Sequence, residues 1–148
     1  MPGIEDWKTR PYMTIQQIFE EHKADSHETF VKSVENYFSQ RLTEDTLRNL
    51  PSVNSTPLDQ LASGSVVKYR CMVQDVFDPQ YYVGRYTVTN SDSSRTRIQC
   101  GSFRDAPEIG LNETADMDSL KNVTVERQGF YCVPIPGEAG WVKEISFI

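Results

Sequence analysis

The stretch "QYYVGRYTVTNSDSSRTRIQC" (80–100) holds three arginines and three tyrosines that could do nucleic-acid chemistry. Arg85 stands in one strand-like run and Arg95 and Arg97 in the next, joined by the turn-forming "NSDSS". Guanidinium groups spaced this way can follow a phosphate backbone, and Tyr81, Tyr82 and Tyr86 offer rings on which bases stack. A second constellation overlaps the first. In "QDVFDPQYY", Asp75 and Asp78 flank Phe77, with Tyr81 and Tyr82 just beyond. Aromatic side chains ringed by charge are what protein-interface anchors look like.

Catalysis has less to build on. A hydrolase or transferase needs a nucleophile with a base, paired acids, or a metal. The two histidines, His22 and His27, stand apart in sequence from other candidates. Glu20-Glu21, Glu44-Asp45 and Asp116/Asp118 lie in polar runs, as solvated faces or helix N-terminal charges do. Cys71, Cys100 and Cys132 are widely spaced in apolar runs, and read as small buried core residues. Without C-x-x-C there is no zinc set, and no phosphate-cradling glycine loop is present. The residues therefore point to no catalytic group, cofactor, metal or small-molecule substrate.

Composition narrows the partner class. The chain has 148 residues, 38% hydrophobic, with a net charge of -6. That is enough apolar material for a core, and the wrong sign for a general binder of nucleic acid or anionic membrane. Residues 1–65 carry 6 basic and 10 acidic side chains, and residues 66–148 carry 9 and 11. The second half is nearly balanced, so a local basic face can still form there. No window reaches the roughly 20 apolar residues that span a bilayer, and "MPGIEDWKTRPYM" has no signal-peptide core. The sequons at Asn54, Asn112 and Asn122 read as loop composition.

Two kinds of element must position these residues. Thr14 and Gln17 have the spacing of a capping box, and Ile15, Ile18 and Phe19 share one face, which predicts a helix over 14–22. Ser26 is a plausible N-cap for a second helix over 27–42, with Phe30, Val34, Tyr37 and Phe38 on one face. A helical turn through "TEDTLRNL" ends at Pro51, and the Pro/Ser/Asn-rich stretch 51–62 reads as a linker.

From Val66 the apolar period is two. The pattern predicts a long first strand to Val76, a hairpin turn at Phe77-Asp78-Pro79-Gln80, and a second strand over 81–89. A third follows in "RTRIQCGSF", then an acidic loop over 104–122, a fourth strand in "VTVERQGFYCVPI" and a last one in "WVKEISFI". Gly84 suits a sharp bend at a barrel corner. The predicted fold is α+β: a helical subdomain (1–50), the linker, and a five-stranded OB-type β-barrel (63–148). An open five-stranded sheet is the alternative.

Longer stretches carry more than periodicity. "CMVQDVFDPQYYVGRY", "SFRDAPEIG" and "ERQGFYCVPIPGEAGWVKE" closely resemble the mini-chromosome maintenance complex-binding protein family, as do "MPGIEDW" and "LPSVNSTPLDQL". The resemblance covers nearly the whole chain and is densest from Leu50 to Ile148. It implies a nuclear factor that associates with subunits of the hexameric replicative helicase around DNA replication, helicase assembly or unloading, and sister-chromatid cohesion. It also implies that the chain is an N-terminal piece of a longer protein, with DNA or chromatin association at most weak or indirect. Helicase subunits carry a zinc-binding insertion in this region, and this chain lacks the cysteines for one.

The residues thus leave two hypotheses. A non-enzymatic helicase-docking module would use Asp75, Phe77, Asp78, Tyr81 and Tyr82. A single-strand-binding barrel would use Arg85, Arg95 and Arg97.

Overall fold

The computed structural model describes residues 6–104 and 106–137. Helices come first and antiparallel strands follow, so the α+β class holds. Helix α1 (Asp6–Thr9) leads into α2 (Pro11–Glu21). Helix α2 starts three residues earlier than Thr14, because Pro11 has the fixed φ and missing N–H that suit a first turn. Thr14 instead joins Ile15, Ile18 and Phe19 on the buried face. Helix α3 (His27–Arg41) begins where Ser26 accepts a hydrogen bond from the Thr29 N–H at 3.2 Å. Thr43 does the same for α4 (Glu44–Asn49), accepting from Thr46 at 3.3 Å. No helix among the described residues is long and apolar enough to cross a membrane.

The strands are β1 (Met72–Val76), β2 (Gln80–Asn90), β3 (Thr96–Cys100), β4 (Glu113–Asp116), β5 (Val123–Arg127) and β6 (Phe130–Val133). Among the described residues they do not close into a barrel. They form a four-stranded sheet, with β3 on one edge of β2 and β4 and β5 on the other, and a two-stranded β1–β6 ribbon. The expected fourth strand is split into β5 and β6, and the acidic loop contains β4. The expected last strand, "WVKEISFI", lies outside the described residues.

The predicted hairpin at 77–80 is not there. Val76 pairs with Phe130 in β6, Gln80 pairs with Arg127 in β5, and the Phe77 N–H donates to the Gly129 carbonyl at 2.9 Å. The chain from Met72 to Arg85 therefore runs on in one direction along a single antiparallel partner, residues 123–133. Asp78-Pro79 interrupts this ladder rather than reversing it, since proline has no N–H to donate. Residues 66–71, expected to open the first strand, form no strand, and Lys68 and Arg70 lie instead against 51–54. A parallel bridge joins Ser52 to Lys68, and the Asn54 amide binds both the N–H (2.8 Å) and the carbonyl (2.7 Å) of Arg70.

The helices pack on the sheet. Phe19 and Phe30, both fully buried, meet edge-to-face at 5.3 Å, and Ile15, Ile18, Val34 and Cys100 complete the cluster with Ile98 against it. Burying each phenylalanine contributes about 2–3 kcal/mol. Of the cysteines expected in the core, only Cys100 is buried; Cys71 and Cys132 are half-exposed. Cys132 stands opposite Val73 in the ribbon, near Cys71. Its hydrogen bond pushes the Cys71 thiol up, followed by desolvation.

Gly84 sits at the joint. The β2–β5 register shifts there, making a bulge. A side chain at this position would meet Ser102 Oγ at 2.8 Å, His27 Nε2 at 2.9 Å and Val125 Cγ2 at 2.9 Å. His27 is buried against Phe30, with Nε2 2.8 Å from Ser102 Oγ. Burial, and then the neighbouring Arg85 charge, hold its pKa below the ordinary 6.5. At pH values below about 6.5 the unfolded chain binds a proton that the folded chain refuses, so stability falls as pH falls through that window. Urea midpoints should therefore drop between pH 7.5 and 5.5, and His27→Gln should flatten the drop. An equal drop in the variant removes His27 as its source. Glu20, held low chiefly by Lys23, and Glu113, held low chiefly by Arg97, lose their contribution only below about 4.5.

Candidate protein-binding site

The two sets of residues singled out in the sequence meet different fates. Arg85 is 8% exposed and faces the helices. Its Nη1 donates to the carbonyls of Asp25 (3.0 Å) and Lys23 (3.3 Å) in the turn after α2, and its guanidinium lies 5.2 Å from the Phe19 ring. Desolvation lowers its pKa, opposed by Cys100 and Asp25. Arg97 makes a two-point contact with Glu113, through Nε (2.8 Å) and Nη2 (3.1 Å), and its Nη1 donates to the Gln99 side chain. That contact raises the Arg97 pKa. Arg95, in the β2–β3 connection, is exposed. The three arginines thus do not assemble into one cationic face.

Tyr86 is buried too, and its hydroxyl accepts from the Glu108 N–H at 2.9 Å. Burial is the first cause raising its pKa.

Asp75, Phe77, Asp78 and Tyr81 all lie on the surface. They occupy no hairpin tip, but lie at and around the interruption of the ladder where 77–79 runs beside 128–129. Phe77 is 50% exposed and Tyr81 73% exposed, while Tyr82 is half-buried under the Arg127 guanidinium at 5.3 Å. Every residue of β1 is exposed. Across the ladder, Phe130 and Tyr131 in β6 are also half-exposed, at 53% each. Neither was singled out from the sequence, because their partnership with 75–76 depends on a strand pairing more than 50 residues apart. The spacing of "GFY" after a turn-like "RQ" is the only local sign of it.

The interruption is bridged by a few specific contacts. Gln128 Nε2 reaches the Phe77 carbonyl at 3.4 Å, and Arg127 Nε reaches Gln80 Oε1 at 3.3 Å. Gly129 lets the Phe77 ring lie close over the backbone; a Cβ there would come within 3.2 Å of Cδ2. The result is a ribbon whose aromatic groups and carboxylates face water together. Two-stranded ribbons exposed on both faces have little stability of their own.

Residues 38–147 match the model of the mini-chromosome maintenance replisome factor family. The chain belongs to that family. It is 42% identical over 148 residues to the mini-chromosome maintenance complex-binding protein of Gallus gallus, covering 99% of this chain and 23% of that protein. The Homo sapiens protein of the same name is 41% identical over 145 residues, covering 97% and 22%. The Drosophila melanogaster one is 38% identical over 96 residues, covering 65% and 16%. The chain therefore spans less than a quarter of the length of these replisome-factor relatives. No solved structure matches it.

Proposed function

We propose that this chain is a non-enzymatic docking module for subunits of the mini-chromosome maintenance helicase, acting in the nucleus around DNA replication. Assembly or unloading of helicase subunits, with an effect on sister-chromatid cohesion, is the wider process it would serve. Membership of the replisome factor family supports the choice of partner. The observation that carries the reading at the level of residues is the interrupted ladder. There Phe77, Tyr81, Phe130 and Tyr131 stand in water beside Asp75 and Asp78. Exposed aromatic groups on a strand pair can anchor a partner, and the acids select a basic one. We read the fold as an OB-type barrel. In support, the long β2 has different neighbours along its two edges and a bulge at Gly84.

The single-strand reading loses support. Arg85 is buried, Arg97 is tied to Glu113, and the net charge is -6.

The test is co-elution of the 148-residue chain with purified helicase subunits, alongside Phe77→Ser/Tyr81→Ser and Asp75→Lys/Asp78→Lys variants. The aromatic pair should weaken binding at least about tenfold. The charge reversal should act mainly on the association rate and its salt dependence. Unchanged affinity in both variants, with unchanged circular dichroism, takes the ribbon out of the interface. If no subunit co-elutes with the native chain, the docking reading of this segment fails.

A further inference from the structure

Beside the ribbon, between β2, the segment after β3 and β5, lies a cavity of about 130 Å³. Tyr82 and Tyr86 form its aromatic wall, Pro107 and Met117 its apolar rim, and Arg104 and Arg127 its charged groups. Among the described residues no carboxylate lines it. On an acidic chain, a cavity whose described lining holds two guanidinium groups and no carboxylate calls for a physical account.

Arg104 is the centre of it. Its side chain is 11% exposed, and two further clefts, lined by Tyr12, open onto the same residue. Gln16 accepts from its Nη2 at 3.0 Å, its Nε is buried with no hydrogen-bond partner, and its Nη1 contacts the Glu108 carboxylate. Glu108 is 66% exposed and four residues away, so it can leave that contact without disturbing packing. The Tyr86 hydroxyl accepts from the Glu108 backbone, which leaves its own proton free to donate.

We propose that this cavity, together with the clefts that join it at Arg104, receives a carboxylate side chain from an acidic peptide segment of a partner, and that Glu108, which lines the clefts, occupies Arg104 in its absence. The incoming carboxylate displaces Glu108 from Arg104 and gains a charge-assisted contact to Arg127, with its methylene groups against the tyrosine rings. The volume suits one side chain, well below the range of nucleotide-sized pockets. Two cations on a chain of net charge -6 are too few to hold a polyanionic backbone. The inference stands apart from helicase docking, and its test uses no helicase subunit.

The probe is acetyl-Glu-Glu-Phe-Glu-Glu, titrated into the ¹⁵N-labelled chain. The amide form with Gln for every Glu, and a 15-mer of deoxythymidine, serve as comparisons. The acidic peptide should move the Tyr82, Gly101 and Arg104 amide resonances, and the Gln form should not. Arg127→Glu, at an exposed position, should weaken binding at least about tenfold. Glu108→Gln, which frees Arg104, should tighten it. Equal binding of the Gln peptide, movement caused by the oligonucleotide instead, no shift at those amides, or weaker binding in Glu108→Gln would each overturn the proposal.

Discussion

A Gly101→Ala chain is expected to be less stable by about 3 kcal/mol. A Cβ at that position would lie 2.1 Å from the Val83 carbonyl oxygen and 3.2 Å from Tyr86 Cε1. Val83 cannot retreat freely, because it is paired with Thr124 on its other side. The Gly101 N–H also donates to the Gly84 carbonyl at 2.8 Å, with Ser102 sharing that acceptor at 3.2 Å. Any shift that relieves the clash therefore pulls on the bulge, the His27–Ser102 contact and the end of β3 together. Urea denaturation followed by circular dichroism measures the loss. Gly64→Ala supplies the comparison: its φ is +79° but nothing lies within 4 Å, so strain alone should cost about 1 kcal/mol. Equal midpoints for the two variants would show that β3 ends with more slack than the 2.1 Å contact allows.

Phe30→Ala should cost a further-reaching 3–5 kcal/mol, roughly the range for truncating a fully buried phenylalanine. Its ring touches Phe19 at 5.3 Å, His27 at 5.4 Å and Phe103 at 6.4 Å, so it joins α2, the start of α3 and the segment after β3. Against a total stability of about 5–15 kcal/mol for a small domain, such a loss leaves a large unfolded fraction. Hydrogen exchange separates global from local effects. Accelerated exchange in both α2 and β3 is expected, because one cluster serves both. Acceleration confined to the helices would mean that the sheet holds without them.

The helical half of this architecture was legible because its signals are local. Ile15, Ile18 and Phe19 recur at the period of one helical face, and Ser26 stands where a cap must. The sheet was legible in its strands and misleading in its pairing. "FDPQ" carries every local mark of a hairpin turn. Yet the partner of β1 and the first half of β2 is the same distant segment, and only the ladder reveals that 77–79 continues it. Arg85 shows the same limit on the functional side. Period-two spacing puts it on one face of a strand with Cys100 opposite, but cannot say that helices cover that face. Gly84 was readable as a bend, because glycine inside a strand pattern is rarely idle. Gly101 carried no such mark, since its constraint comes from the backbone of Val83.

The composition of the apolar cluster has a consequence for how the chain is made. Among the described residues, every member of it, from Ile15 to Cys100, precedes the β5–β6 arm in sequence. As the chain leaves the ribosome, the helices and the short β2–β3 connection can collapse around Phe19 and Phe30 before residues 123–133 have been synthesised. β1 then waits as an unpaired strand, offering its edge and its apolar side chains to any neighbour. Among the described strands, the stretch around Asp75 and Phe77 is thus the last to find its own partner during synthesis, and the first to be at risk of finding a wrong one.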